Sequence, residues 1–174
     1  MHIFVGHVER RWNTTAQTKL SKNYNAVPTK PFWQTKSLDE MSDEEWESIC
    51  DGCGRCCLVK LEDIDSGNLH YTSVACRLLD TETCQCSDYR RRIIKVPDCL
   101  ELKLIEHEAY ATLPDTCAYR LLYEGEVLAW WHPLISGDKN TVHQAGISVR
   151  GKTICESHIH PDELEDHVVD LTYL

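Results

Sequence analysis

Four cysteines in eight residues, CDGCGRCC from Cys50 to Cys57, constrain this chain more than any other feature of its sequence. Five further cysteines follow before residue 118, and the 174 residues contain ten cysteines in all. Thiols at such spacing serve as disulfides, as metal ligands or as redox groups. A chain of this length can bury an apolar core without covalent cross-links, so its size alone does not require disulfides.

The spacing of the thiols favours a metal site. Each C-x-x-C step lets two thiolates from one loop reach the same ion, and distant cysteines then complete the coordination. A bound cation also relieves the repulsion among neighbouring thiolates, so that binding energy becomes folding energy. The predicted metal ligands are Cys50, Cys53, Cys56, Cys57, Cys76, Cys84, Cys86, Cys99 and Cys117. Cys155 lies outside the cluster and is expected to be an unligated cysteine.

The sequence does not choose between zinc and iron as the cofactor. Four thiolates satisfy tetrahedral zinc and a [4Fe–4S] cluster equally well. Nine thiolates supply either two four-cysteine sites with one thiol left over or one polynuclear cluster with bridging sulfurs. The run differs from the C-x2-C-x2-C-x3-C-P pattern of bacterial ferredoxins, because Cys57 directly follows Cys56 and no proline comes after it.

Two other roles for the thiols stay open. Disulfides need an oxidising compartment, but the N-terminal MHIFVGHVERRW lacks the apolar stretch of a secretory signal. The expected location is therefore the reducing cytoplasm, where disulfides are rare. A catalytic thiol within CDGCGRCC is the third role, although several equivalent neighbours argue against one activated nucleophile.

The charge balance narrows the class of partner. A net charge of −10 argues against binding to a nucleic-acid backbone, which requires Lys and Arg. No apolar run reaches the length of a membrane span, about 20 residues. An unidentified protein partner is compatible with the sequence. The basic run from Tyr89 to Arg92, with Lys95, is expected either to offset the charge of the thiolates or to bind an anion or a partner.

The rest of the chain predicts short elements rather than regular layers. We expect a flexible tail over residues 1–30 and a single cysteine-cluster metal-binding domain over 31–174. Ser42 and Glu45 form a capping-box pattern, so a helix should begin there and end near Cys50. The predicted fold class is α+β, a small irregular domain of short helices and a few short strands organised around a cysteine-thiolate metal site.

Further elements follow from local patterns. Residues Leu69 to Ala75 predict a strand, and Ile147 to Ile154 predict a hairpin around Arg150-Gly151. Cys99 to Tyr110 predict a helix, and another is expected from Asp115 to near Gly125. Pro161 is expected to begin the last helix.

Histidine and acidic residues outside the cysteine cluster are further candidate site residues. His132, within Trp130-Trp131-His132-Pro133, is the first candidate for a mixed ligand or a proton carrier, and His143 is the second. Core tryptophans with a structural histidine are the competing interpretation. Glu163 and His167 have helical i, i+4 spacing, but an acidic solvent-facing surface is the preferred interpretation of that segment.

Several motifs together resemble a known family. CDGCGRCC, VACRLLDTETCQCSDYRRR, PDC, TCAYRLL, WHPL and ISVR resemble the bacterial YcgN-type cysteine-cluster proteins, within the wider YkgJ-like group of zinc- or iron-chelating C-x-x-C-x-x-C-C domains. The resemblance runs from about Pro31 to about Glu156. The signature residues that it implies as ligands are Cys50, Cys53, Cys56 and Cys57.

The downstream cysteines match at two levels. Cys76, Cys86 and Cys99 resemble the pattern of the wider group, with Tyr89 at its tyrosine position, whereas Cys84 and Cys117 resemble the narrower YcgN-type pattern. The wider group often has Arg-Pro after that tyrosine. This chain has Arg91-Arg92 without a proline, so its local turn is expected to differ.

The sequence therefore predicts a cytoplasmic metal-binding protein that holds zinc or an iron or iron–sulfur centre, and it leaves open whether the protein is an enzyme. The alternative is an iron–sulfur oxidoreductase or a component of a protein-modification enzyme, because flagellin lysine methylases carry a similar cysteine motif. The sequence has no glycine-rich loop after a strand of the kind that binds a methyl donor.

Overall fold

Capped turns and short helices, rather than long amphipathic segments, build most of the chain. The computed structural model describes residues 30–174, so the predicted flexible tail over 1–30 lies, except for its last residue, outside the described residues. Within that range the α-helices are α1 (Asp43–Glu47), α2 (Arg92–Lys95), α3 (Ala118–Tyr123), α4 (Pro133–Ser136) and α5 (Thr141–Gln144). The 3₁₀ helices are Phe32–Gln34, Leu38–Glu40, Arg55–Cys57, Tyr89–Arg91, His107–Thr112, Glu156–His158 and Pro161–His167.

A three-stranded sheet of β1 (Leu58–Glu62), β2 (Leu69–Ala75) and β3 (Ile154–Cys155) forms the β part of the fold. β1 and β2 pair antiparallel, with Leu58 opposite Ala75 and Glu62 opposite Leu69. β3 pairs parallel to β2 on its other side. The strand predicted over Leu69 to Ala75 is confirmed, and the short helices and strands agree with the α+β class.

The predicted hairpin between Ile147 and Ile154 is wrong. The Val149 amide donates to the Cys53 carbonyl at 2.9 Å instead of to a neighbouring strand. The Val149 side chain is fully buried. Ile154 pairs with Val74 in β2. Long-range contacts with the cysteine loop therefore replace the local pairing that the sequence favoured.

Helix α1 confirms the predicted capping box. The Ser42 hydroxyl accepts from the Glu45 amide at 3.2 Å, and the Glu45 carboxylate accepts from the Ser42 amide at 2.9 Å. The helix predicted from Cys99 to Tyr110 is wrong, because turns lead there into the 3₁₀ helix His107–Thr112. Leu104 is 75% exposed, so the apolar residues of this stretch do not form one buried helical face.

Two later helices differ from the sequence prediction in their bounds or type. α3 begins after Cys117 rather than at Asp115, and Gly125 follows soon after its end, as expected. The segment that begins at Pro161 is a 3₁₀ helix through His167. Within residues 30–174, no helix has both the length and the apolar character needed to cross a lipid bilayer.

Two apolar clusters hold Phe32–Leu174 together as one unit. The first lies around α1 and α3, and its buried members are Leu38, Met41, Trp46, Ile49, Tyr110, Leu113, Ala118, Tyr119 and Leu128. The second lies against β1 and β2, and its buried members are Leu58, Ala75, Leu79, Cys84 and Val149. The CDGCGRCC loop connects α1 of the first cluster to β1 of the second.

Candidate metal centre

The cysteine loop is held by backbone contacts with remote segments. The His132 imidazole donates from Nε2 to the Ile49 carbonyl at 2.8 Å, immediately before Cys50. The Cys53 carbonyl accepts from the Val149 amide, and the Cys53 amide donates to Asp51 Oδ1 at 3.0 Å. These contacts fix where the first thiols of the loop stand.

Four cysteines lie close enough to affect one another's ionisation, and we call Cys50, Cys53, Cys56 and Cys117 the first thiol group. Burial, with repulsion from neighbouring thiols, raises the pKa of Cys50 to about 12, although part of that side chain remains open to solvent. Burial also raises the pKa of Cys117 to about 11. Burial raises the pKa of Cys53 above its usual range. These three thiols therefore hold their protons firmly unless a cation replaces them.

Cys117 comes from a distant part of the chain and is positioned by two contacts. The Tyr119 hydroxyl donates to the Trp46 carbonyl at 3.0 Å, which ties α3 to α1. The Arg55 guanidinium donates from Nη1 to the Thr116 hydroxyl at 3.3 Å, next to Cys117. Both contacts bring Cys117 towards the cysteine loop.

Arg55 is a buried cation inside the loop, with only 5% of its surface exposed. Besides Thr116, it donates to the Ile147 carbonyl at 2.7 Å and to the Leu171 carbonyl at 3.0 Å. Among residues 30–174 it has no carboxylate partner. Its charge is satisfied by neutral acceptors from three distant segments, so Arg55 acts as a clamp.

Asp51 places a carboxylate within the first thiol group. Its side chain is 8% exposed, and Oδ1 accepts from the Cys53 amide. The Asp51 charge opposes ionisation of all four thiols of the group. No ion pair joins Asp51 to any residue in the described range. A buried carboxylate beside four thiols creates a strong local preference for a cation.

Another four cysteines lie near the end of the strand pair where β1 begins and β2 ends. We call Cys57, Cys76, Cys86 and Cys99 the second thiol group. The Cys76 amide donates to the Cys57 carbonyl at 2.9 Å. Cys86 forms a backbone bridge with Leu79, and the Leu78 amide lies 3.5 Å from Cys76 Sγ. The loop after β2 thus returns Cys86 to the neighbourhood of Cys76.

Cys99 is attached to the same place through α2. The Arg77 guanidinium donates to the Lys95 carbonyl at the end of α2. The Cys99 amide then donates to the Val96 carbonyl at 2.9 Å. Burial raises the pKa of both Cys76 and Cys99, and the charges of Arg77 and Arg92 partly oppose that rise at Cys76 and Cys99 respectively.

The two thiol groups meet at Cys56 and Cys57, whose sulfurs are 3.9 Å apart. The contact between the two thiols lowers the pKa of Cys56 and raises the pKa of Cys57. The Lys60 ammonium donates to the Cys56 carbonyl at 3.1 Å, and burial lowers its pKa. A cavity of 1640 Å³ is lined by six of the thiols, Cys50, Cys56, Cys57, Cys76, Cys86 and Cys99.

Cys84 stands apart from the other eight predicted ligands. It is buried in the second apolar cluster, where its Cβ lies near Gly54 and Leu79 also packs. Burial raises the pKa of Cys84. Cys155 lies in β3, and its thiol donates to the Ser157 hydroxyl at 3.4 Å.

The two nominated histidines are engaged within the fold. The Leu134 amide donates to His132 Nδ1 at 3.1 Å, so the neutral ring carries its proton on Nε2 and donates it to Ile49. His132 is therefore a structural cap of α4 and not a metal ligand. His143 Nδ1 contacts the Ser148 hydroxyl at 2.7 Å, and burial lowers the pKa of His143.

The remaining candidates have surface partners. Arg91 and Lys95 pair with Asp88, and Arg92 stacks on the Tyr89 ring at 4.0 Å. Part of the basic run thus offsets local acidic charge, while Arg92 lies near Cys99. The His167 ring contacts the Ser73 hydroxyl at 3.4 Å, and Glu163 is exposed at the start of the 3₁₀ helix Pro161–His167.

The chemistry of the donor set fits zinc or iron, because soft thiolates are preferred ligands of both metals. All ten cysteines are free thiols, and six of them line one cavity. Within residues 30–174, however, no three Cys, His, Asp or Glu side chains stand in positions that hold one metal ion. Metal binding therefore requires these side chains to turn towards one another.

Sequence reasoning missed three charged residues of this centre. Asp51, Arg55 and Lys60 are all within or next to CDGCGRCC, but attention to cysteine spacing left them without a role. Asp51 and Arg55 stand between cysteines of the motif, and both side chains are buried. That placement is the signal that identifies Asp51 and Arg55 as candidates.

Comparison with known proteins identifies the same segment. Residues 49–118 match the CxxCxxCC family, described as a "Putative zinc- or iron-chelating domain". The chain is 56% identical over 144 residues to a UPF0260 protein of Allorhizobium ampelinum, covering 83% of this chain and 91% of that protein. It is 59% identical over 140 residues to a UPF0260 protein of Agrobacterium fabrum, covering 80% and 86% respectively.

A third relative gives the same picture. A UPF0260 protein of Gluconacetobacter diazotrophicus is 58% identical over 142 residues, covering 82% of this chain and 88% of that protein. No solved structure matches the chain. These similarities extend well beyond the cysteine segment. The narrower YcgN-type and YkgJ-like assignment stays a prediction.

Proposed function

The chain belongs to the UPF0260 family, and from that premise we propose that it is a metal-binding protein whose clustered cysteine thiolates hold zinc or iron. The observation that carries the proposal is the buried Asp51 carboxylate among the four thiols of the first group, with no paired cation among the described residues. Burying an anion beside ionisable thiols is costly unless a cation joins them.

The ligands in this proposal are the eight cysteines of the two thiol groups. Zinc bound there would supply a structural cross-link, and iron would supply electron transfer. Lys60 and Arg92 place positive charge beside Cys57 and Cys99, where it offsets part of the thiolate charge. Arg55 holds the segment of Cys117 against the loop without contacting a carboxylate.

Thiols that bind metal must stay reduced, so we place the protein in the cytoplasm. A net charge of −10 disfavours nucleic acid, and a protein is the kind of partner that we propose.

Elemental analysis with an absorption spectrum tests the proposal. The full chain is purified without oxygen and without a chelating tag, and we expect zinc or iron at near-integer stoichiometry. Cys53→Ser should lower the metal content, because Cys53 is a buried thiol of the first group. Cys155→Ser is the matched control and should keep the full content. Metal-free wild-type protein that also fails to take up zinc or iron would refute the proposal.

A second candidate function is an iron–sulfur oxidoreductase or a component of a protein-modification enzyme. The observation that favours it is the cavity beside the thiols, which gives a substrate access to Cys56 and Cys57. This function requires iron with inorganic sulfide and a broad visible absorption band that bleaches on reduction. Colourless protein that contains zinc alone would exclude it.

A further inference from the structure

The eight converging cysteines divide at the peptide bond between Cys56 and Cys57, and we propose that the chain binds two metal centres, one in each thiol group. The first centre uses Cys50, Cys53, Cys56 and Cys117. The second uses Cys57, Cys76, Cys86 and Cys99. This inference rests on the proposed function, because it assigns the same thiols to separate sites.

The division begins in the 3₁₀ helix Arg55–Cys57, which contains both adjacent cysteines. Successive side chains of a 3₁₀ helix point about 120° apart, because the helix has three residues per turn. The two sulfurs nevertheless remain 3.9 Å apart, so the two centres must be close neighbours. Beyond this contact, the two backbones have different partners: the Cys57 carbonyl accepts from the Cys76 amide, and the Cys56 carbonyl accepts from the Lys60 ammonium.

The first group is closed by contacts that do not involve residues 76–99. Arg55 holds Thr116 next to Cys117, and Tyr119 joins α3 to the carbonyl of Trp46 in α1. The Cys53 carbonyl accepts from the Val149 amide, which also lies outside residues 76–99. Cys117 and the first part of the loop are therefore held together without the segment that carries Cys76, Cys86 and Cys99.

The second group is assembled around the residues that follow β2. Cys76 is hydrogen-bonded to Cys57 across the sheet, and the bridge between Leu79 and Cys86 closes the next loop. Arg77 holds Lys95, the last residue of α2, and the Cys99 amide donates to the carbonyl of Val96, the next residue. The backbones of Cys57, Cys86 and Cys99 are thus tied to the segment around Cys76.

Cys84 explains why nine cysteines give two groups of four. Its side chain is buried in the second apolar cluster and does not line the cavity that six of the other thiols line. Four thiolates satisfy one zinc ion or one [4Fe–4S] cluster, so eight thiolates satisfy two centres with no ligand left over. In one polynuclear cluster, Cys117 and Cys86 would have to bind metal ions that share bridging sulfurs. The two residues are instead anchored to different segments of the chain.

Zinc stoichiometry in matched variants tests the division. The reduced full chain is loaded with zinc alone, and the bound zinc per chain is measured after removal of the excess. We expect two zinc ions in the wild type and one in Cys50→Ser, Cys117→Ser, Cys86→Ser and Cys99→Ser. Two variants probe each group, so a folding failure in one does not remove the test. Cys155→Ser should keep two.

Alkylation by N-ethylmaleimide, followed by peptide mapping, shows which thiols remain protected. In Cys86→Ser and Cys99→Ser, zinc should protect Cys50, Cys53, Cys56 and Cys117. In Cys50→Ser and Cys117→Ser, zinc should protect Cys57, Cys76, Cys86 and Cys99. One zinc ion in the wild type would overturn the division and leave the proposed function standing. The same holds if both variants of one thiol group leave the thiols of both groups open to alkylation. A wild type that takes up neither zinc nor iron would refute the proposed function itself.

Discussion

Any residue other than glycine at position 54 should destabilise the folded protein, because both the backbone conformation and a close neighbour disfavour a side chain there. Gly54 has φ +77°, a conformation that side chains rarely adopt. A Cβ on this residue would lie 2.8 Å from Val149 Cγ2. Gly54→Ala should therefore destabilise the protein by about 2–4 kcal/mol, from left-handed strain and overpacking together. Urea unfolding of the reduced, metal-free chain measures the loss.

Gly125→Ala separates these two costs. Gly125 has φ +78°, but a Cβ there would meet no heavy atom within 4 Å. This control should lose only the strain energy, about 1–2 kcal/mol. Equal losses in the two variants would show that Val149 moves aside without cost. The larger loss at Gly54 is expected because Val149 is fully buried and its amide is bonded to Cys53.

The cysteine residues also show how far spacing predicts a site. C-x-x-C spacing correctly singled out the loop that the family comparison matches. Spacing alone gave Cys84 and Cys86 the same role, because only one residue separates them. In the structure, Cys84 is buried in the second apolar cluster and Cys86 lines the cavity. The backbone turns to φ +57° at Cys84 and directs its side chain into the apolar cluster. The Cys84 amide closes that turn by donating to the Asp80 carbonyl at 2.8 Å, and the side chain then joins a cluster with Val149, which is distant in sequence.

At the scale of elements, α1 is the part of the site that local sequence controls best. Its five residues are too few to be stable as an isolated helix, so the capping box at Ser42 and Glu45 matters. Ser42→Ala should lower the free energy of unfolding by about 1 kcal/mol, because the Glu45 amide loses its acceptor. Urea denaturation followed by circular dichroism measures the change.

Ser42→Asp provides the matched control. Aspartate is as good an N-cap as serine, and its charge suits the start of a helix, so stability should stay near that of the wild type. Equal destabilisation by alanine and aspartate would show that the hydroxyl itself, and not capping, is required. In Ser42→Ala only the start of α1 is weakened, and the buried Ile49 should still hold the chain in place before Cys50.

Elements without local signals were harder to predict. The helix expected over Cys99 to Tyr110 fails, because Tyr110 donates to the Leu102 carbonyl at 2.8 Å and folds the segment back on itself. β3 has two residues and exists through its pairing with β2. Caps are encoded within four residues, whereas these features depend on contacts between distant segments. The sequence therefore predicted α1 and β2 better than the segments after them.

At the scale of the whole molecule, buried apolar side chains are unevenly distributed along the chain. The first apolar cluster has nine buried members. Between residues 76 and 103, by contrast, the buried side chains are Leu79 and Cys84. This stretch contains three of the four second-group cysteines but little apolar surface to hold it. In the proposed function, metal coordination supplies what packing does not.

Hydrogen exchange on zinc-loaded and zinc-free protein tests this role of metal coordination. Removal of zinc should sharply reduce protection of amides within residues 76–99, such as those of Cys84 and Val96, which donate to Asp80 and Arg92. Amides of the β1–β2 ladder, with Lys60 opposite Tyr71, should keep more of their protection. The expected difference follows because local opening is easiest where few apolar contacts are broken.

The same experiment distinguishes a local role of the metal from a global one. If zinc only closed a preformed site, residues 76–99 would exchange at the same rate with and without it. If zinc held the entire fold, protection of the β1–β2 ladder would fall as far as that of the stretch around Cys86. Selective loss is the outcome that the distribution of buried residues requires, because β2 still packs Val74 and Ala75 fully out of solvent when the thiols are free. Folding of residues 76–99 is then coupled to metal binding. The sheet stays folded without metal and holds Cys57 and Cys76 in place before the metal binds.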